Sequence, residues 1–332
     1  PGMVHVRADK EIVLEAKGLH SEKGLIEAVI PQLDDPDVII TVGSGTLMDF
    51  ARYPAFKLGK PFVAIPTLAS SDAPDAVICD LDVVSGAPMF LTVSGIADIL
   101  SKHISLADWK IARLVAGEYY CERVAALAQE ALDMMISCAD TLRRGGAPDF
   151  EAMTMAQMLS GLTMQLLGNS RAASGAEHLI AHLVEMKPPR FENAHGIHGE
   201  CVGVGTVLCA AEYRRMARKT PKARPFEPLS GGWIREKFGY LAEGIIEENK
   251  NDVLASFEPQ NIVDNWQAIR DIVSAIPPAE ELAALFKDLG GKYRLPDIGI
   301  DEALEPEILD ISAAIRNRLT LARMRRVLDF EG

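Results

Sequence analysis

Residues 37–46 read Asp-Val-Ile-Ile-Thr-Val-Gly-Ser-Gly-Thr, so a β-branched run passes directly into a glycine turn. A short apolar run of this kind is typical of a buried parallel strand. A helical pattern follows from Leu47 to Leu58 and is interrupted by Gly-Lys-Pro at residues 59–61. A second strand is predicted from Phe62 to Ile65. Strand, glycine turn, helix and strand within about 30 residues predict a βαβ unit.

The turn Gly43-Ser44-Gly45-Thr46 has the composition of a pyrophosphate site. Glycines let the backbone approach a ligand closely, and the free amides and dipole of a helix N-terminus favour an anion. The spacing is not GxGxxG, so the usual dinucleotide fingerprint is absent. A tight strand-to-helix connection without a ligand is the alternative interpretation. Asp49 is assigned to the first turn of the helix, where a capping role is favoured over contact with a nucleotide.

The sequence pattern changes after Ser94. Apolar residues then recur at helical spacing, in segments rich in Ala, Leu and Met. We therefore predict an α/β nucleotide domain over residues 1–94 and an all-α domain over residues 95–332. The predicted helices are Ala97–Ala116, Ala125–Leu142, Ala152–Leu167, Val202–Ala217, Ile262–Ala275, Pro278–Leu289 and Ile308–Val327, and the basic, proline-rich stretch Lys219–Pro228 is predicted to be a loop.

Composition limits the partners of this chain. Its 332 residues carry a formal net charge of −13, which disfavours nucleic acid and anionic membrane surfaces as partners. The five cysteines form no CxxC pair, so a thiolate zinc site is not expected, and they are interpreted as reduced core residues. The sequence shows neither a signal-peptide pattern at its start nor an apolar run long enough to span a bilayer, so we predict a cytoplasmic protein.

Four of the seven histidines, His178, His182, His195 and His198, are grouped in one segment. Imidazole is a common ligand for zinc, nickel and iron, and His178 and His182 share a helix face at spacing i, i+4. Asp98 is the natural third ligand, since three protein ligands leave one coordination position for substrate. The alternative interpretation is a surface cluster or satisfied core histidines. His182 and His195 stay open between supporting a ligand, facing substrate and a structural role.

Five motifs occur in a recognisable order: Gly43-Ser-Gly-Thr-x-x-Asp49, Pro66-Thr-x-x-Ser-Ser-Asp72, Gly95-x-x-Asp98, Ser174-Gly-x-Glu-His178 and His198-Gly-x-x-Val-Gly203. This order resembles the sn-glycerol-1-phosphate dehydrogenase branch of the iron-containing alcohol dehydrogenase and dehydroquinate synthase superfamily. The resemblance runs with few breaks from about Val38 to Thr206, and residues 100–109 look like the bacterial members in particular.

The resemblance implies a Rossmann-like N-terminal domain and an all-α C-terminal domain, a dehydroquinate synthase-like fold with its active site in the cleft between them. It implies NAD(H) or NADP(H) and one divalent metal, zinc, nickel or iron. Asp98, His178 and His198 match the metal ligands of the family, and Asp72 would face the substrate hydroxyls. The residues that would bind the cofactor are Gly43, Ser44, Gly45, Thr46, Thr67 and Ser70.

The implied reaction is reversible hydride transfer between NAD(P)H and dihydroxyacetone phosphate, giving sn-glycerol 1-phosphate, a step of phospholipid metabolism. Lys102 and Arg171 flank the metal motifs and are candidates to bind the substrate phosphate; solvated charges are the alternative interpretation. Rival functions are a glycerol dehydrogenase acting on an unphosphorylated polyol, a dehydroquinate synthase, and a degenerate nucleotide-binding protein without catalysis. A dehydroquinate synthase needs a more basic pocket than the sequence offers. The Ala- and Leu-rich helices favour a homo-oligomer, such as a homodimer.

Two segments depart from the family pattern. The stretch before about Leu25 is too short for the first strands of the family. Only Ala73-Pro-Asp-Ala76 stand where a β-hairpin is expected between Asp72 and Ile78. True deletions would remove core strands from the nucleotide domain, so we expect instead that residues are missing from the sequence. The residue that distinguishes NAD from NADP is therefore not identified.

Overall fold

A computed structural model describes residues 8–15, 23–68 and 76–331 of the chain. The chain divides into two compact units, Pro1–Ala87 and Pro88–Gly332. The predicted boundary after Ser94 falls a few residues beyond this division, inside a helix that begins at Met89. Ser70 and Asp72, two of the predicted site residues, lie outside the described residues.

The first unit is built on a parallel sheet. Strands β1 (Ile39–Gly43), β2 (Phe62–Pro66) and β3 (Ala76–Val77) lie side by side in that order. Helix α1 (Lys23–Glu27) precedes β1, helix α2 (Gly45–Leu58) connects β1 to β2, and helix α3 (Leu81–Ser85) follows β3. The βαβ unit predicted from the sequence is therefore present.

Helix α2 covers one face of this sheet. Ile39, Phe62 and Ala64 pack against an apolar stripe of α2 that consists of Met48, Ala51 and Ala55. The alternate side chains of β1 are exposed, with Val42 at 59%. The prediction of a buried strand is thus correct for only one face of β1. Helix α2 begins within the glycine turn, two residues before the predicted start, and ends at Gly59 in the left-handed conformation (φ 64°).

The second unit is mainly helical, and the all-α prediction for fold class is confirmed. Its helices are α4 (Met89–Leu100), α5 (Lys102–Ala116), α6 (Glu122–Arg143), α7 (Phe150–Leu167), α8 (Ala176–Met186), α9 (His198–Ala217), α10 (Gly231–Phe238), α11 (Ala242–Glu248), α12 (Gln260–Asp264), α13 (Trp266–Ser274), α14 (Ala279–Asp288), α15 (Glu305–Ser312) and α16 (Leu321–Met324). Helix α9 packs against α4, α8, α13 and α14 and so occupies the centre of the unit. None of the described helices has the length and apolar character needed to cross a membrane.

Several predictions in the second unit are wrong. The apolar pattern Ile308–Val327 is not one helix, because the chain leaves α15 after Ser312 and re-enters a helix only at Leu321, where Thr320 accepts a hydrogen bond from the amide of Arg323. The predicted loop Lys219–Pro228 contains strand β4 (Thr220–Ala223), which pairs antiparallel with β5 (Leu328–Glu331). The partner strand is about a hundred residues away in sequence, so local composition could not reveal it.

The predicted helices Ala97–Ala116 and Ile262–Ala275 are each divided in the structure. The first becomes α4 and α5, which meet at Ser101, whose hydroxyl donates to the carbonyl oxygen of Asp98. The second becomes α12 and α13, which meet at Asn265. Hydroxyl and amide side chains compete with the helical ladder for backbone partners, which is why helices are interrupted at such residues.

Candidate metal centre

Three helices each supply one of the predicted metal ligands. Asp98 lies near the end of α4, His178 in the first turn of α8, and His198 is the first residue of α9. Nε2 of His178 is 3.2 Å from Oδ1 of Asp98, and Nε2 of His198 is 3.7 Å from the same oxygen. One ligand atom from each residue lies within 4.8 Å of the other two. The structure therefore brings together three side chains that are far apart in sequence.

Glycines on α9 make this convergence possible. A Cβ at Gly199 would overlap the carbonyl oxygen of Ser94 on α4. A Cβ at Gly205 would lie 2.5 Å from the carbonyl oxygen of Glu177 on α8. Any larger residue at either position would push α9 away from a neighbouring helix that carries a ligand. Gly199 and Gly205 thus let α9 lie close to the two helices that carry Asp98 and His178.

Both histidine ligands are oriented by carboxylates. Nδ1 of His178 donates to Glu177 at 2.8 Å, and Nδ1 of His198 donates to Glu185 at 2.7 Å. Each bond directs the Nδ1 proton to a carboxylate and turns Nε2 toward Asp98, so Nε2 is the atom that a metal would bind once it displaces the proton there. Pairing of the outer ring nitrogen with a carboxylate is the usual arrangement around a ligating histidine, and it raises the basicity of the ligand.

The electrostatics of the cluster suit a cation. Burial alone would raise the pKa of Asp98, but the hydrogen bond from His178 and the positive charges around it outweigh burial and hold the pKa well below its usual range. Burial would likewise raise the pKa of Glu185, yet bonds from His182 and His198 lower it to about 2. Burial lowers the pKa of His178, but Asp98 and Glu177 raise it to about 9. Protons on the imidazoles therefore supply the positive charge that a metal ion would bring when it displaces them.

The two ambiguous histidines differ in position. Nδ1 of His182 is 3.1 Å from Glu185, and its ring centroid lies 5.8 Å from that of His198. His182 therefore belongs to the hydrogen-bonded surroundings of the cluster. His195 is exposed, and its Nδ1 lies 3.4 Å from the backbone oxygen of Asn193. The described contacts place His195 outside the cluster.

The two residues predicted to bind the substrate phosphate, Lys102 and Arg171, also differ in their surroundings. Lys102, at the start of α5, is almost fully buried beside the cluster. Burial lowers the pKa of Lys102, while the charges of Asp98 and Glu177 act in the opposite direction. Arg171 is buried, and its guanidinium binds Glu118 and the backbone oxygens of Asp108 and Leu319. No described contact joins Arg171 to the metal-ligand candidates, so its role in substrate binding remains a prediction.

In the first unit, the glycine turn leads into the N-terminus of α2. Gly43 has φ 154°, and a Cβ there would overlap the side chain of Leu47. The side chain of Ser44 makes no capping hydrogen bond, so it does not compete for the first amides of α2. The backbone amide of Thr67 donates a hydrogen bond to the carbonyl oxygen of Gly43 at 3.0 Å. Thr67 therefore lies beside the turn. Asp49 lies beyond the first turn and pairs with Arg52 at 3.4 Å, so its assignment to that turn is wrong.

Sequence reasoning missed the roles of Glu177 and Glu185. Glu177 is fully buried and stands next to a ligand, and it also accepts a bond from the amide of Gly175 at 2.8 Å. Glu185 follows His178 by seven residues and His182 by three, a spacing that places all three on one helix face. That spacing was the available signal for Glu185, and a fully buried carboxylate beside a histidine became visible only in the structure.

Known proteins resemble the chain in sequence. A family model described as iron-containing alcohol dehydrogenase matches residues 6–73. A glycerol-1-phosphate dehydrogenase [NAD(P)+] of Halalkalibacterium halodurans is 30% identical, over 91% of this chain and 74% of that protein. A protein of the same name from Pyrococcus horikoshii is 34% identical over 56% of this chain and 59% of its own length.

Solved structures resemble the chain in fold. A probable glycerol dehydrogenase from Sinorhizobium meliloti has a TM-score of 0.58 at 20% identity, covering 93% of this chain and 80% of that one. A sulfoacetaldehyde reductase from Bifidobacterium kashiwanohense in complex with NAD+ has a TM-score of 0.51 at 15% identity, covering 91% and 78%. At these identities the likeness establishes the dehydroquinate synthase-like fold alone.

Proposed function

The chain belongs to the glycerol-1-phosphate dehydrogenase family of iron-containing alcohol dehydrogenases, and on that premise we propose that it interconverts dihydroxyacetone phosphate and sn-glycerol 1-phosphate with NAD(P)H. In the reductive direction the C2 carbonyl carbon of the substrate receives a hydride and its oxygen takes a proton. The products are the secondary alcohol and NAD(P)+. The observation that carries the proposal is the convergence of Asp98, His178 and His198.

The donor set fits one divalent cation. Asp98 offers a carboxylate oxygen held ionised by its neighbours, and two imidazoles offer Nε2 atoms whose tautomer is fixed by Glu177 and Glu185. One carboxylate and two imidazoles suit zinc, nickel or ferrous iron. When bound, such a cation supplies Lewis acidity to a substrate oxygen. The side chain of His198 is 45% exposed, which supports access for a substrate on its side of the cluster.

Lys102 is proposed to attract the substrate phosphate. It is a buried cation whose charge acts on Asp98, and a buried ammonium interacts more strongly with an anion than a solvated one does. Arg171 is the weaker candidate, since its guanidinium is already bound to Glu118. The orienting role of Asp72 toward the substrate hydroxyls stays a prediction, because this residue lies outside the described part of the chain.

The nicotinamide cofactor is proposed to bind the first unit at the turn formed by Gly43, Ser44, Gly45 and Thr46, with Thr67 close by. The fit rests on the strand-to-helix geometry of this turn. Uncapped amides at the start of the 14-residue helix α2 are donors suited to a pyrophosphate, and the helix dipole adds to the attraction. Ser70 remains part of the proposed site on sequence grounds alone.

The decisive experiment measures NADH and NADPH oxidation with dihydroxyacetone phosphate and, in parallel, with dihydroxyacetone. Chelated protein is assayed before and after zinc, nickel or ferrous iron is restored. Metal-dependent turnover of the phosphate, with little turnover of the free ketone, is the expected result. Preference for the unphosphorylated ketone would reassign the protein as a glycerol-type dehydrogenase. Absence of turnover with every metal would favour a non-catalytic nucleotide-binding protein.

A further inference from the structure

We propose that the second unit contains an additional binding site for a small oxyanion, of the phosphate or carboxylate type, in a cavity at the C-terminal end of α5. The cavity has a volume of about 350 Å³, within the range of roughly 300–1,000 Å³ usual for small-molecule sites. None of the metal-ligand candidates lines it, and Lys102 is at the opposite end of α5. The polar side chains that line it are Glu118, Asn169, Arg171, Ser256, Asn317 and Arg318.

Arg318 is the first reason to expect an anion. Its guanidinium donates to the carbonyl oxygen of Ser174 and, at 2.8 Å, to the hydroxyl of Ser170. Both partners are neutral, and within the described part of the chain Arg318 forms no ion pair with a carboxylate. Burial and the neighbouring charge of Arg171 outweigh the carboxylates of Glu177 and Glu118, which act in the opposite direction, and lower the pKa of Arg318 to about 10. A partly buried cation that no carboxylate contacts is incompletely compensated, and a bound anion would complete the compensation.

Arg171 is the second reason. It is 3% exposed, and Glu118 balances its charge through Nε at 2.7 Å and Nη2 at 3.2 Å. Its Nη1 is buried and has no hydrogen-bond partner among the described residues. A buried donor without an acceptor carries a desolvation cost that a ligand oxygen would remove.

The charge balance of the cavity wall favours an anion over a cation. Arg171 and Glu118 neutralise each other, so the positive charge of Arg318 remains. The side-chain oxygen of Asn169 accepts a hydrogen bond from the backbone amide of Arg171 at 2.9 Å. The NH₂ group of Asn169 therefore remains available as a donor. Guanidinium and amide donors around one cavity match the acceptor oxygens of a phosphate or carboxylate.

The test is a titration with inorganic phosphate at constant ionic strength, followed by calorimetry and by the thermal midpoint of unfolding. The matched pair of variants is Arg318→Gln and Arg218→Gln, which remove the same charge from the cavity and from an exposed position. Loss of a charge-assisted bond should weaken phosphate binding about tenfold to a hundredfold in the first variant only. Equal binding by both variants, or no phosphate binding by the parent protein, would overturn the proposal.

A second variant tests the site independently, in case Arg318→Gln does not fold. Ser256 is exposed at the cavity wall, so Ser256→Glu should fold while placing a carboxylate in the wall that Arg318 also lines. This variant should lose phosphate binding and melt at a higher temperature than the parent protein in the absence of phosphate. Retained binding in Ser256→Glu counts against the site. Lys102→Gln separates the site from the proposed substrate pocket, because phosphate binding confined to that pocket would disappear in this variant and would refute the proposal.

Discussion

Glu185 accepts a hydrogen bond at 2.7 Å from Nδ1 of His198 and thereby directs the opposite ring nitrogen toward Asp98. The other oxygen of the same carboxylate lies 3.1 Å from Nδ1 of His182. A single residue at the end of α8 thus organises a ligand on α9, although it offers no atom to the cluster formed by Asp98, His178 and His198. Carboxylates that orient a ligating histidine strengthen metal binding.

Replacement of Glu185 should therefore weaken metal binding. In Glu185→Gln the negative charge behind His198 is lost, and we expect affinity for zinc or nickel to fall about 10- to 100-fold. Competition with a chromophoric chelator measures this change. Glu192→Gln, in the exposed connection between α8 and α9, is the control and should bind metal like the parent protein. Equal affinities of the two variants would contradict the orienting role.

Removal of a ligand should have a larger effect. His178→Ala takes away a buried imidazole that faces Asp98, so both stoichiometric metal binding and turnover should be lost. His195→Ala removes an exposed imidazole outside the cluster and should retain both. Metal content by mass spectrometry and steady-state rates give the two readouts. Turnover by metal-free His178→Ala would refute the assignment of the site.

The close packing of α9 gives a test that changes no ligand. Gly199→Ala introduces a methyl group against the carbonyl oxygen of Ser94, which should separate His198 from Asp98 and cost about 1–3 kcal/mol of unfolding free energy. Gly244→Ala, at an exposed position of α11 with no atom near the added Cβ, should instead be neutral or slightly stabilising. Urea denaturation and metal affinity are measured for both. A stable Gly199→Ala protein with unchanged affinity would disprove the packing argument.

Lys102 is the residue proposed to distinguish phosphorylated from free substrate. Lys102→Gln removes one charge-assisted interaction with the phosphate, so kcat/KM for dihydroxyacetone phosphate should fall about tenfold to a hundredfold. The value for dihydroxyacetone should change much less, because that ketone has no phosphate to bind. Lys110→Gln, an exposed position on the same helix, serves as the control. A parallel loss for both substrates would show that Lys102 acts on the cluster instead.

Stability in acid should depend on a buried carboxylate that is not part of the cluster. Asp252 pairs with Arg323 at 2.8 Å and with Arg326 at 2.6 Å. Burial would raise the pKa of Asp252, but the two arginines outweigh it and lower the pKa. A lowered pKa in the folded state stabilises the fold above the ordinary unfolded value of about 3.9, and this contribution is lost as pH falls through the folded pKa.

Asp252→Asn should accordingly cost about 3–5 kcal/mol of unfolding free energy near pH 7, because it leaves the buried Arg323 without its counter-charge. The difference from the parent protein should be constant between pH 6 and 8 and should shrink below about pH 4. Asp288→Asn breaks an exposed pair with Arg143 and should cost less than about 1 kcal/mol. Denaturant titrations across this pH range check both values, and a difference independent of pH would exclude the ionised pair.

Local patterns were sufficient for most of the secondary structure. The strand before Gly43 and the helix after it follow from residue type and periodicity, since both depend on neighbours within a few positions. The same holds for the helices near Ala125–Leu142 and Ala152–Leu167. The apolar patterns that run through Ser101 and through residues 313–320 predicted continuous helices wrongly. At these places a hydroxyl side chain bonds to a backbone group three residues away, Ser101 to Asp98 and Thr320 to Arg323, and such bonds compete with the helical ladder.

The sequence by itself determined the fold class and a short list of candidate ligands, because hydrophobic periodicity and the types of residue that bind metals are both local properties. Tertiary structure alone decided which candidates meet. In the folded chain Asp98 lies close to His178 and His198, and Glu185 accepts a hydrogen bond from His198. Arg171 lines a cavity that none of these residues lines. These outcomes depend on how closely helices pack. That distance is set by residues such as Gly199 and Gly205, whose lack of a side chain lets α9 approach residues remote in the chain.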